Sequence, residues 1–126
     1  MAIVRGICLH VNGESYDVKI DAARSPYDVT REMIGDWTER VNILQVGDRM
    51  LTMWVDEQGH LKHLPVNPKA SQFYPAPGRG TPGNPPIVGT VVFILMEQYW
   101  TNEGPDLRAV DMTDEARNLL PGVGNG

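Results

Sequence analysis

Three groupings of side chains in this sequence have types and spacings that could do chemistry. Gly78-Arg79-Gly80-Thr81-Pro82-Gly83 spells G-x-G-x-x-G. In dinucleotide-binding folds that motif follows a strand and opens a helix, so that the helix N-terminus meets a pyrophosphate. Here it stands between Pro75, Pro77 and Pro85-Pro86, where no helix can start, so what remains is a glycine-rich backbone able to expose N–H groups to an anion beside Arg79. His60 and His63 suggest a metal, but residues three apart on a strand point to opposite faces, and Cys8 and His10 lie on a different strand. No metal or other cofactor is expected.

Nucleophilic catalysis requires a Ser or Cys within reach of an oriented base. Ser25 reads as a helix cap, Ser15 follows a turn, and Cys8 sits on a strand where a lone thiol is inert. Ser71 with His63 is the pair that stays open, yet no acid lies between Gln58 and Met96 to orient that histidine. The chain therefore reads as a binding protein and not an enzyme.

Charge is distributed unevenly. Residues 1–57 carry six Lys/Arg against ten Asp/Glu, residues 58–96 three against none, and residues 97–126 two against six, for a net charge of -5. An acidic total argues against duplex nucleic acid, whose non-specific binding needs many cations. The middle third is locally basic, and an anionic group would meet least repulsion there. It contains residues 65–86, with seven of the ten prolines, a stretch too long for a simple connection and read as having no secondary structure. The candidate partner-binding residues are Lys62, His63, Asn67, Lys69, Tyr74 and Arg79. Lys69 and Arg79 would meet negative groups, Asn67 would fix the loop mouth through backbone hydrogen bonds, and Tyr74 would pack on an apolar or aromatic surface. Phe73 is expected to fold back over the sheet, whereas Trp100 falls in a segment expected to be exposed.

The elements that would position these residues follow from turn chemistry and periodicity. Asn12-Gly13 predicts a type I′ turn between strands at 3–11 and 14–20, with Ile7, Leu9 and Val11 sharing one buried sheet face with Tyr16, Val18 and Ile20. Ser25-Pro26 predicts the start of a helix that runs from Pro26 to Ile34 and stops at Gly35. Strands follow at 37–44, 49–55 and 60–64, separated by turns at Gly47-Asp48 and 56–59. The nearly continuous apolar run 87–96 predicts a central strand buried on both faces. Residues 102–105 read as a loop, and Thr113 caps a short helix over 116–120. The expected fold is α+β and β-grasp-like: an N-terminal hairpin, one short helix, a mixed or antiparallel sheet and a short C-terminal helix. One domain spans 1–121, and 122–126 is a flexible tail. With one cysteine, no intrachain disulfide forms.

Several pieces together carry a resemblance. Met53-Trp54-Val55-Asp56-Glu57-Gln58-Gly59-His60-Leu61-Lys62, then Leu64-Pro65-Val66-Asn67-Pro68-Lys69-Ala70, then Pro86-Ile87-Val88-Gly89-Thr90-Val91-Val92-Phe93, and finally Met112-Thr113-Asp114-Glu115, resemble a family of small uncharacterised domains encoded by bacteriophages, plasmids and actinobacterial or firmicute genomes. The likeness spans residues 17–120, and its most specific element is 64–67. The chain departs from it in a longer Pro/Gly stretch between Ala70 and Pro86. The resemblance implies a cytoplasmic domain of mobile-element origin and carries over no activity.

The expected function is a non-enzymatic phage or mobile-element protein that modulates or inhibits a host bacterial protein. The alternative is sequestration of a small anionic ligand, such as a nucleotide signal, in the basic third; an unrecognised hydrolase stands behind both. No run is apolar and long enough to span a bilayer, so no membrane partner is expected. Sheet edges, six methionines and three tryptophans predict a homodimer.

Overall fold

A computed structural model describes residues 2–73 and 86–120. Among these residues, six strands and three short helices make an α+β fold around one sheet. The strands are β1 (Ile3–Leu9), β2 (Ser15–Asp21), β3 (Thr38–Val46), β4 (Arg49–Asp56), β5 (Val91–Thr101) and β6 (Gly104–Val110). Their order is β2-β1-β5-β4-β3, with β6 also on β5, and every pair is antiparallel. The first half of β5 bonds β1 and its second half bonds β6, while β4 runs along the opposite edge. The apolar run predicted as central is therefore the axis of the sheet. It begins four residues later than expected, because Gly89, at φ 77°, turns the chain after a single bridge between Val66 and Val88. Only glycine takes that backbone angle without strain.

The N-terminal hairpin forms, but its turn is not type I′. Gly13 alone has a positive φ, 91°. Gly13 N bonds His10 O and His10 N bonds Glu14 O, so Val11, Asn12 and Gly13 form a three-residue loop. The extra residue sets the register, which pairs Ile7 with Asp17 and Val18 with Gly6. Ile7 and Leu9 consequently pack on one face of the sheet and Val18 and Ile20 on the other, which corrects the expectation of a single shared face.

Each face has its own core. On the first, Ile7, Leu9, Leu51, Met53, Phe93 and Leu95 are covered by α2 (Pro68–Ser71) and α3 (Asp114–Asn118), through Ala70 and Ala116, and by Leu120 just past α3. Phe73 packs edge-on against Phe93 at 5.7 Å, as expected. On the second, Ile20, Trp54, Val92 and Ile94 lie under α1 (Pro26–Ile34). That helix has the predicted bounds and ends at Gly35, but the Ser25 side chain makes no capping bond; its carbonyl accepts from Asp28 N and Val29 N instead. The buried polar groups are matched internally: Thr52 Oγ1 donates to Ile94 O at 2.7 Å and accepts from Trp54 Nε1 at 2.9 Å. Thr113 caps α3 by accepting from Ala116 N at 3.1 Å.

Three further expectations are corrected. Residues 60–64 are not a strand: Lys62 N bonds Gln58 O, Leu64 N bonds Gly59 O, and His63 takes φ 55°. Asp56 drives this coiling by accepting from Gln58 N at 2.8 Å and from the Lys62 ammonium. Of residues 102–105, read as a loop, Asn102-Glu103 form a turn and Gly104-Pro105 already belong to β6, which returns along β5. The stretch 65–86 also contains a helical turn, α2, that was not expected.

Candidate functional site at the loop rim

The long connections gather at one end of the sheet, where β1 and β4 end and β2, β3 and β5 begin. Four of the six sequence-predicted residues, Lys62, His63, Asn67 and Lys69, belong to this rim. Tyr74, Arg79 and the Gly78 to Gly83 motif lie outside the described residues, as does the tail at 122–126.

Asn67 is fully buried and fixes the rim as expected. Its Nδ2 donates to Leu9 O at 3.2 Å and Gly89 O at 3.0 Å, and its Oδ1 accepts from Ala70 N at 3.2 Å, which caps α2. One side chain thus ties β1, the approach to β5 and the first turn of α2. Pro65-Val66 on one side and Pro68 on the other hold it extended at φ -103°, ψ 96°, the backbone a capping residue needs. Ser71, the candidate nucleophile, is engaged in the same knot. Its Oγ donates to Asn67 O at 2.9 Å and accepts from Ile87 N at 3.0 Å, and no hydrogen bond among the described residues joins it to His63.

Lys62 meets carboxylates that are remote in sequence. Its Nζ lies 2.8 Å from Asp36 Oδ2 and 2.5 Å from Asp56 Oδ2, with the Asp56 side chain almost wholly buried. The hydrogen bond to Asp36, then that to Asp56, raises the Lys62 pKa above its ordinary value. The same bond from Lys62, with the Trp37 N–H, holds Asp36 below the ordinary carboxylate value. The carboxylate-free neighbourhood seen along the chain is therefore not carboxylate-free in space. Lys69 is also engaged, through a 3.4 Å contact from Nζ to Gly13 O.

On the second face of the rim, His10 Nδ1 is 3.0 Å from Thr90 Oγ1 and His10 Nε2 is 2.9 Å from Tyr16 Oη. Beneath Tyr16 lies the buried thiol of Cys8, whose pKa burial raises, so it is not an activated nucleophile. No group of three His, Cys, Asp or Glu among the described residues could hold a metal ion. A cleft of about 250 Å³ opens beside the ion bridge, between Ile34, Val11, Leu64 and Thr90.

Sequence reasoning missed the rim's apolar surface. Leu61 is 78 % exposed, Trp37 is 56 % exposed, and Val66 is also exposed. The Arg31 guanidinium stacks 3.7 Å from the Trp37 ring centroid, which holds that indole in place at the surface. Asp36-Trp37 and Leu61-Lys62 are adjacent pairs in sequence, so the ion bridge brings the two apolar residues' segments together. The available signal was an exposed apolar residue beside each charge, which residues 60–64 assigned as a strand concealed.

No protein-family model, curated protein or solved structure matches the chain significantly. No described helix is long and apolar enough to cross a membrane.

Proposed function

We propose that the chain is a non-enzymatic protein-binding module of phage or mobile-element origin that modulates a host bacterial component, with the loop rim as its contact surface. The observation that carries this reading is the pairing of exposed apolar side chains, Trp37, Leu61 and Val66, with charges that are already neutralised by Asp36 and Asp56. A buried anchor cluster within a polar rim is how protein contacts concentrate their energy. An anion would have to break the Lys62 bridge before using that cation, which makes capture of a small anionic ligand the weaker reading. The β-grasp-like description belongs with this proposal too: it rests on the order hairpin, helix, further strands around a central β5.

The test is affinity capture from a bacterial lysate with the wild-type chain and with a Trp37→Ala/Leu61→Ala double variant, washed over a series of salt concentrations. A host protein should be retained at high salt and lost from the double variant, because apolar contacts are not screened. Recovery of a nucleotide or other small anion, released as salt rises and equally from both proteins, would replace this reading with the sequestration one.

A further inference from the structure

We infer that the β5–β6 ribbon is a dimerisation arm, and that its occupant is a second copy of this chain. β4 leaves β5 at the Arg49–Glu97 pair, while β6 follows β5 on to Thr101–Gly104. Four residues of β5, a length of ~13 Å, therefore run past the sheet as a two-stranded ribbon. Such a ribbon has little stability of its own and needs a surface to lie on.

The pairing register assigns side chains to its faces. Met50, Met96, Ala109, Gln98, Leu107, Pro105 and Trp100 share the second face of the sheet, the one α1 covers only in part. At the base of the ribbon this face holds a cleft of about 220 Å³ with Met50, Met96 and Leu107 as its floor and Asn42, Gln45 and Gln98 around it, together with the oppositely charged neighbours Asp48 and Arg49. That is smaller than the ~300 Å³ at which small-molecule sites begin, and it suits one large side chain with a polar tip. At the ribbon's far end Trp100 is 77 % exposed. A knob and a hole thus lie on one face of one element, displaced along it. An isologous contact with the arms antiparallel would fill both holes with both knobs at once, and indole N–H groups would find the amide oxygens around each cleft.

Charge agrees with a self-contact. The arm tip carries Glu103, which is in no ion pair among the described residues, whereas Arg40 shares the second face beside Asn42 and likewise has no ion pair among them; Asp106, opposite Tyr99 in the register, lies on the first face. Glu97 is already held on the first face by Arg49 at 3.6 Å and Arg108 at 2.8 Å. Glu103 at the tip and Arg40 on the second face give complementary charge in a chain whose total of -5 would otherwise oppose association.

The experiment is sedimentation equilibrium of the full chain from low to high micromolar concentration, with Trp100→Ala, Trp37→Ala, Arg40→Glu, Glu103→Arg and the Arg40→Glu/Glu103→Arg double variant. The wild type should have twice the 14.0 kDa chain mass. Trp100→Ala should raise the dimer dissociation constant by ~30-fold or more, as expected for a central aromatic anchor. Each charge reversal alone should weaken the dimer, and the pair together should restore it. Circular dichroism confirms that each variant is folded. A wild type that stays monomeric throughout, or a dimer indifferent to Trp100→Ala, overturns the inference; a dimer lost only in Trp37→Ala puts the self-contact at the rim and overturns it as well.

Discussion

The two ends of the sheet each expose a tryptophan, Trp37 just before β3 at the end where β5 begins and Trp100 where β5 finishes, but they are built differently. At the start of β5, the rim around Trp37 rests on Asn67, Ser71 and Lys62, whose polar atoms are consumed by backbone carbonyls, amides and two carboxylates. At its end, Trp100 stands on a ribbon with one strand neighbour, steadied by Thr101 Oγ1 bonding Gly104 O at 2.8 Å. The rim is an organised surface whose segments are already ordered, so a partner there meets little ordering cost. The arm, with one strand neighbour, has no such support among the described residues beyond the end of β4. Charge read along the chain therefore misplaces a site: Lys62 and Lys69 are engaged within the rim, and the groups left for a partner are the apolar ones beside them.

The sharpest way to break this contrast is to remove the rim's anchor. Asn67→Ala leaves Leu9 O, Gly89 O and Ala70 N buried without that partner, and should cost ~2–4 kcal/mol in urea unfolding. A loss below ~0.5 kcal/mol, the range of ordinary surface changes, would mean the knot is not a stability element. Next in size is partner binding: Trp37→Ala/Leu61→Ala should weaken capture of a host protein by more than tenfold while leaving the melting temperature nearly unchanged, since both side chains are exposed. Trp100→Ala should leave the unfolding free energy of the monomer within ~0.5 kcal/mol, so that its effect is confined to association.

The smallest effect concerns pH. The folded-state pKa of Asp36 lies below the ordinary 3.8, so its bridge to Lys62 contributes fully above that value and is lost as pH falls through the acid range to the depressed folded value. The difference in melting temperature between wild type and Asp36→Asn should accordingly shrink between about pH 5 and pH 2. Lys62, raised above its ordinary 10.5, keeps the bridge intact until pH exceeds that range. A difference that does not change with pH would assign the bridge no role in holding the rim.

Much of the scaffold was legible. Pro26 and Gly35 bracket α1, Thr113 caps α3, and the apolar run through Val91 and Met96 marks the central strand, because each signal is local. Register was not local: one extra residue in the turn at Gly13 moved Ile7 and Leu9 to the face opposite Val18 and Ile20. β6 was hidden because Pro105 and the acids around it read as loop, although Leu107 and Ala109 alternate toward the second face. Of the candidate site, the backbone hydrogen bonds expected of Asn67 are present, but the helical turn it caps is too short to show in the pattern of a Pro-rich stretch. The pairing of Lys62 was not legible, since Asp36 is 26 residues away in sequence and only the fold brings them together.

On the proposed reading the rim, and not the arm, meets the host partner. Amide hydrogen exchange of the chain alone and bound to the captured host protein tests it directly. Slowed exchange on binding is predicted at residues 36–39 and 57–66, with 98–107 unchanged from the free chain. Slowed exchange at 98–107 with the rim unaltered would contradict it and assign the partner to the arm.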